Sequence, residues 1–149
     1  MTRKRKILGG LFLLLDVLWA AFIFGRSLQP ASVSGQESGT LLALVQRLLP
    51  QMTDHVLRKL AHFTEFSVLG VLLSVTVKLF GAKLPVLPLA LGLLTAVTDE
   101  LLQRTAPGRS CQLSDMLLDF TGVVAATAAV FAVTFLHRRK KKPGDDPPN

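Results

Sequence analysis

Apolar residues in this chain fall into four long blocks separated by short polar stretches. The first runs from Ile7 to Gly25 and is interrupted only by Asp16. The second runs from Leu57 to Phe80, the third from Leu84 to Gln103, and the fourth from Ser114 to Leu136. Crossing a bilayer takes about 20 residues of helix, so each block predicts a membrane span. The third is the shortest, because its charge-free stretch, Leu84 to Thr98, has only fifteen residues. At about 1.5 Å per residue that covers roughly 22 Å, which places Asp99 and Glu100 near one membrane surface. Pro85 and Pro88 fall in the first turn of this span, where proline is tolerated. The first block has the basic start of a secretory signal. It lacks a small-x-small cleavage site and contains Asp16, so it reads as a retained helix.

The expected fold is therefore all-α: a bundle of four transmembrane helices. Between the first two spans lies FGRSLQPASVSGQESG, read as a loop. The following TLLALVQRLL places Leu41, Leu44, Val45 and Leu48 on one stripe. That stripe predicts a short amphipathic helix, ended by Pro50, lying on the outer interface or covering a pocket.

The polar positions repeat with helical period. A helix turns about 100° per residue, so positions i, i+4 and i+7 share a face. In the second span that face carries Arg58, His62, Glu65 and Leu69, and in the fourth Asp115, Asp119 and Gly122. Asp99 and Gln103 share a face at the end of the third span, with Glu100 beside it. All three stripes lie toward the same end. Exposing such charge to lipid costs a few kcal/mol per group at depth, so the stripes should turn toward one another around a wet pocket. The Pro-Gly turn in RTAPGRSCQLSD presents Arg109 at that end.

Composition agrees with the membrane reading. Half of the 149 residues are hydrophobic, and mean hydropathy is +0.45. Net charge is +7, which by itself invites a nucleic-acid reading. The distribution opposes it: nine of the 17 basic residues lie in TRKRK and RRKKK, which flank apolar blocks directly. No nucleic-acid partner is expected, and the terminal runs read as topology signals and anchors to anionic lipid. Eleven Lys and Arg fall with the two termini and with Lys78 and Lys83 at the connection between the second and third spans, and six fall on the opposite side. Both termini should thus face the cytoplasm. Residues 1–136 form the expected membrane domain, and 137–149 a basic, disordered tail. A single cysteine, Cys111, excludes an internal disulfide framework, and no His lies close to it in sequence.

The order of the polar motifs resembles that of the VanZ-like family. The matches are Ser27, Gln29 and Pro30; Arg58, Lys59, His62, Phe63, Glu65, Phe66, Leu69 and Gly70; Asp99, Glu100 and Gln103; Pro107, Gly108 and Arg109; and Asp115, Asp119 and Gly122. Two positions depart from the family pattern: Phe66 replaces the commoner Tyr, and Asp119 sits where Asn is frequent. The resemblance implies a multi-pass protein of a bacterial plasma membrane. It also implies a link to low-level glycopeptide (teicoplanin) resistance, and it adds Ser27 and Gln29 to the candidate ligand-binding residues.

Several chemistries fit the stripes. His62, Glu65, Asp99 and Asp119 are candidate ligands for a divalent metal. The same groups, with Glu100 and Asp115, suit general acid–base catalysis. Arg58, Lys59 and Arg109, with Gln103, suit capture of a phosphate or carboxylate. The bland alternative is a set of interhelical ion pairs joining Arg58 or Arg109 to Asp99, Glu100 or Asp115. The expected function is a polar pocket, open to the outside, that engages an anionic envelope ligand: a lipid headgroup or a lipid-linked or other cell-wall precursor. A membrane hydrolase or transferase acting on a phosphorylated lipid or glycan is the first alternative. A small proton-coupled transporter is the second; Asp16 and a few Ser and Thr are all the polarity its inner half offers.

Overall fold

The structure, a computed structural model, describes residues 2–140. Its elements are α1 (Arg3–Ser27), α2 (Ala31–Val45), α3 (Asp54–Leu79), α4 (Val86–Gln103) and α5 (Leu113–Lys140), with no strand among the described residues. Helices α1, α3, α4 and α5 are each long and apolar enough to cross a membrane, so the chain is a four-span, multi-pass membrane protein. At 18 residues α4 is the shortest, about 27 Å long. α5 continues past Leu136 as far as Lys140, and the rest of the basic tail lies outside the described residues.

Local chemistry sets the helix ends. The Thr53 hydroxyl accepts from the Val56 amide and caps α3, with Asp54 in its first turn and Lys78 in its last. Both charges complement the helix dipole. The loop expected after α1 is mostly helical. α2 starts at Ala31, directly after Pro30, and ends at Val45 rather than near Pro50. Its first amide, on Ala31, donates to the carbonyl of Pro107 in the 104–112 connection. That satisfies one of the amides that every helix start leaves open, and no local sequence signal reports it. The expected stripe is divided as a result: Leu41 and Leu44 lie exposed on α2, whereas Leu48 lies in the turn beyond it.

α3 is the central helix. It runs parallel to α5: Ser74 Oγ donates to Thr127 Oγ1 at 3.2 Å, and Lys78 Nζ sits 3.5 Å from the Phe131 ring centroid. It runs antiparallel to α1. Trp19 Nε1 donates to the Glu65 carbonyl at 2.9 Å, Thr76 Oγ1 to Asp16 Oδ2 at 2.7 Å, and Arg5 Nη2 to the Lys78 carbonyl at 2.6 Å. Asp16 thus finds its buried donor on another helix. The N-terminus of α1 and the C-terminus of α5 share one end of the bundle, and α2 and the 104–112 connection share the other. Between the two ends lies a buried apolar layer of Ile23, Phe66, Leu69, Leu73, Ala96 and Val123.

Helices in lipid gain little from the hydrophobic effect and associate through close packing and interhelical hydrogen bonds. The tightest approach of α3 and α5 is at Gly122, where an added Cβ would lie 2.6 Å from the Phe63 carbonyl oxygen. Gly122→Ala should destabilise the bundle by about 1–3 kcal/mol through overpacking. Gly10→Ala, where nothing lies within 4 Å of the added Cβ, should not. Thermal melts in detergent, read from the fluorescence of the single Trp19, check the contrast.

Candidate functional site

The polar stripes meet at the α2 end of the bundle. Asp99 on α4 and Asp119 on α5 are fully buried there. His62 on α3 stands beside them, its Nδ1 3.5 Å from Asp119 Oδ1 and its side chain one-quarter exposed. Donor atoms of His62, Asp99 and Asp119 all lie within 4.8 Å of one another. Three separate helices supply the three groups, so helix rotation in the bundle, rather than any one segment, builds the cluster.

The hydrogen bonds around the cluster are uneven. Asp99 is held on both sides: Ser27 Oγ donates to Oδ1 at 2.5 Å, and Gln103 Nε2 to Oδ2 at 2.9 Å. Neither oxygen of Asp119 has a hydrogen-bond partner, and neither does His62 Nδ1. Among the described residues, His62 is the only basic side chain within 4.0 Å of either aspartate.

A ring of cations surrounds this centre. One cavity of about 150 Å³ is lined by Arg26, Arg58 and Arg109 together with His62, Glu65 and residues of α2. A second, of about 250 Å³, is lined by Arg58, Lys59, His62, Gln103, Arg109 and Asp115. Arg58, His62 and Arg109 border both. Most of the cations have a carboxylate: Arg26 pairs with Glu37 and Glu65, Arg58 with Asp54, and Lys59 with Asp115. Arg109 has none within 4.0 Å among the described residues. Its Nη1 donates to the Ser27 and Arg26 carbonyls at 3.3 and 3.5 Å, and its Nη2 to Ser34 Oγ at 3.0 Å. Gly108, at φ +76°, makes the turn that carries Arg109 back under α2. Burial, and next the charge of Arg58, push the Arg109 pKa below its ordinary value; Asp99 opposes the shift. An arginine remains charged throughout.

The candidates therefore divide into separate tasks. His62, Asp99 and Asp119 form the buried centre, with Ser27 and Gln103 holding Asp99. Arg58, Lys59 and Arg109 line the cavities. Asp115 belongs to the rim through Lys59. Glu65 faces Arg26 rather than the buried cluster. The buried Glu100 accepts from the Gln112 amide at 2.8 Å and so ties the 104–112 connection to α4. Gln29 is half-buried, and its Oε1 has no partner. The ion pairs expected for Arg58 and Arg109 run differently: Arg58 bonds Asp54 within its own helix, and Arg109 bonds backbone carbonyls and a hydroxyl. Arg26 and Ser34 are cavity residues that sequence reasoning missed. Arg26 sits one residue past an apolar block and looks like an interfacial charge. Ser34 falls in a stretch rich in Ser, Gln and Gly that gave no helical signal.

A family model described as VanZ/LLP1 matches residues 12–136. No curated protein and no solved structure matches the chain. The matched span includes all three members of the buried centre and every cation of the two cavities.

Ser27→Ala removes the donor to a buried carboxylate oxygen, so it should lower stability by about 1–3 kcal/mol. Ser110→Ala, at an exposed position of the 104–112 connection, should leave stability unchanged. Thermal unfolding of both variants in the same detergent gives the comparison.

Proposed function

This chain belongs to the VanZ/LLP1 family, and we propose that its α2 end is an outward-open pocket that engages an anionic cell-envelope ligand, a lipid headgroup or a cell-wall precursor. The observation that carries this reading is Arg109. Its guanidinium borders both cavities, meets no carboxylate among the described residues, and uses three contacts where an arginine has five N–H donors. Arg58 and Arg26 stand in the same cavity wall, so a phosphate or carboxylate there would relieve crowding among like charges. By engaging such a ligand at the cell surface the protein would contribute to glycopeptide (teicoplanin) resistance.

The positive-inside distribution supports an orientation with both termini in the cytoplasm and with α2 and the 104–112 connection outside, in a bacterial plasma membrane. Cys111, the single cysteine, is exposed in that connection and serves as a natural reporter. A membrane-impermeant maleimide should label it in intact cells or right-side-out vesicles. Labelling only after permeabilisation would reverse the topology.

A second reading, hydrolysis or group transfer on a phosphorylated lipid or glycan, draws on His62. A histidine beside two buried carboxylates, with its ring reaching both cavities, suits proton transfer to a ligand held by Arg58 and Arg109. Transport draws no comparable support. The apolar layer of Ile23, Phe66, Leu69, Ala96 and Val123 separates the pocket from the polar pairs Asp16–Thr76 and Ser74–Thr127.

Native mass spectrometry of the purified chain tests the pocket. Wild-type protein should retain phosphatidylglycerol over phosphatidylcholine. A charge-assisted hydrogen bond contributes about 1.5–3 kcal/mol, so Arg109→Ala should lose roughly tenfold or more of that preference. Arg58→Gln gives up only an exposed i,i+4 pair in the fold, so it should lose preference without losing stability. Folded variants with undiminished preference for the anionic lipid would remove the basis of the reading.

A further inference from the structure

We propose that His62, Asp99 and Asp119 form a divalent-metal site at the floor of the pocket, suited to Zn²⁺ or Mn²⁺. Charge balance is the first reason. Two carboxylates are buried completely, on different helices, and one imidazole is the only basic side chain within 4.0 Å of them among the described residues; Arg109 acts on Asp99 only from farther off. The surrounding cations are engaged elsewhere: Arg26 with Glu37 and Glu65, Arg58 with Asp54, and Lys59 with Asp115. Two buried carboxylates must either take up protons or find compensating positive charge. A doubly charged ion at the cluster supplies it.

The second reason is which atoms lack partners. Asp119 is fully buried, and neither of its oxygens meets a hydrogen-bond donor; His62 Nδ1, facing it, lacks a partner too. Their separation of 3.5 Å is long for a hydrogen bond. It matches the edge of a tetrahedral site instead, since two ligands each about 2.1 Å from one ion lie about 3.4 Å apart. All donor atoms of the cluster lie within 4.8 Å of one another, against about 3.4 Å along a tetrahedral edge. Side-chain rotation on binding would have to draw them together by up to about 1.4 Å. Asp99 is already oriented, because Ser27 and Gln103 occupy its outer lone pairs as supporting groups of a metal ligand do. The mixed nitrogen and oxygen set favours Zn²⁺ or Mn²⁺ over Mg²⁺ and Ca²⁺.

Three protein ligands leave at least one coordination position open, as in sites where a metal meets a ligand. His62 lines both cavities, so the open side is the pocket side. An anionic oxygen held by Arg109 and Arg58 could take that position. This bridging role rests on the anion-binding reading, whereas the metal site itself does not.

The full chain, purified in detergent, exposed separately to Zn²⁺, Mn²⁺, Mg²⁺ and Ca²⁺ and then dialysed, should retain about one Zn²⁺ or Mn²⁺ per chain by elemental analysis. His62→Ala and Asp119→Asn should each lose about tenfold or more in affinity. Asp54→Asn, a rim carboxylate outside the cluster, should retain the ion. Should the cluster variants fail to fold, X-ray absorption on the wild-type protein decides. One imidazole with carboxylate oxygens supports the site, and sulfur ligation or several imidazoles overturns it. Wild-type protein that holds no Zn²⁺ or Mn²⁺, or folded cluster variants that hold it as well as wild type, overturns it equally. Arg109-dependent retention of phosphatidylglycerol by wild-type protein that takes up neither Zn²⁺ nor Mn²⁺ would sink the metal site and leave the pocket standing. Metal retention without Arg109-dependent lipid preference would do the reverse.

Discussion

The bilayer cannot solvate a carboxylate, and the bundle is organised around that constraint. Asp99 and Asp119 sit on helices otherwise apolar enough to cross a membrane, and each must turn inward. Once they do, the rotation of α4 and α5 is fixed, and α3 must bring a partner. It brings His62. The C-terminal turn of α1 then brings Ser27 to Asp99. Four helices are locked in phase by a few polar contacts, where the hydrophobic effect offers little help.

The same end of the molecule sets buried carboxylates beneath a rim of ion pairs. Carboxylates occupy the buried floor, and arginines and a lysine occupy the wetter walls. The walls are largely balanced by ion pairs at Glu37, Glu65, Asp54 and Asp115, most of them well exposed and therefore weak. Arg109 is the exception. Its contacts are carbonyls and a hydroxyl, which fix its position without cancelling its charge. A pocket with a neutralised rim, one unneutralised arginine and an acidic floor with a histidine suits a ligand that is itself anionic and is handled from both sides.

Beneath the floor lies an apolar layer, and below it a separate, mostly apolar cavity of about 780 Å³ bordered by Leu69, Leu73, Asp16 and Thr76. Ile23, Phe66, Leu69, Ala96 and Val123 pack with almost no exposure, and below them Thr76 donates to one oxygen of Asp16 and Ser74 to Thr127. The apolar layer separates the two cavities of the α2 end from that inner one. α2 forms part of the wall of the first cavity through Ser34, Glu37, Ser38 and Leu41, and leaves Leu44 exposed.

Four long apolar blocks determined the four spans, because burying a backbone in lipid demands uninterrupted helix and leaves an unmistakable pattern. Helical periodicity also placed the polar stripes on single faces and at one end, and the motif order marked the family. Three things lay beyond the sequence. The first amide of α2 is satisfied by the Pro107 carbonyl, a contact across more than seventy residues of chain. The pairing of Arg26 with Glu65, of Lys59 with Asp115 and of Glu100 with the Gln112 amide depends on which helices are neighbours, and periodicity carries no such information. The choice of His62, Asp99 and Asp119 from a longer set of candidates depends on depth and rotation in the bundle. The sequence fixes where a charge lies along a helix; only packing decides which other charge it meets.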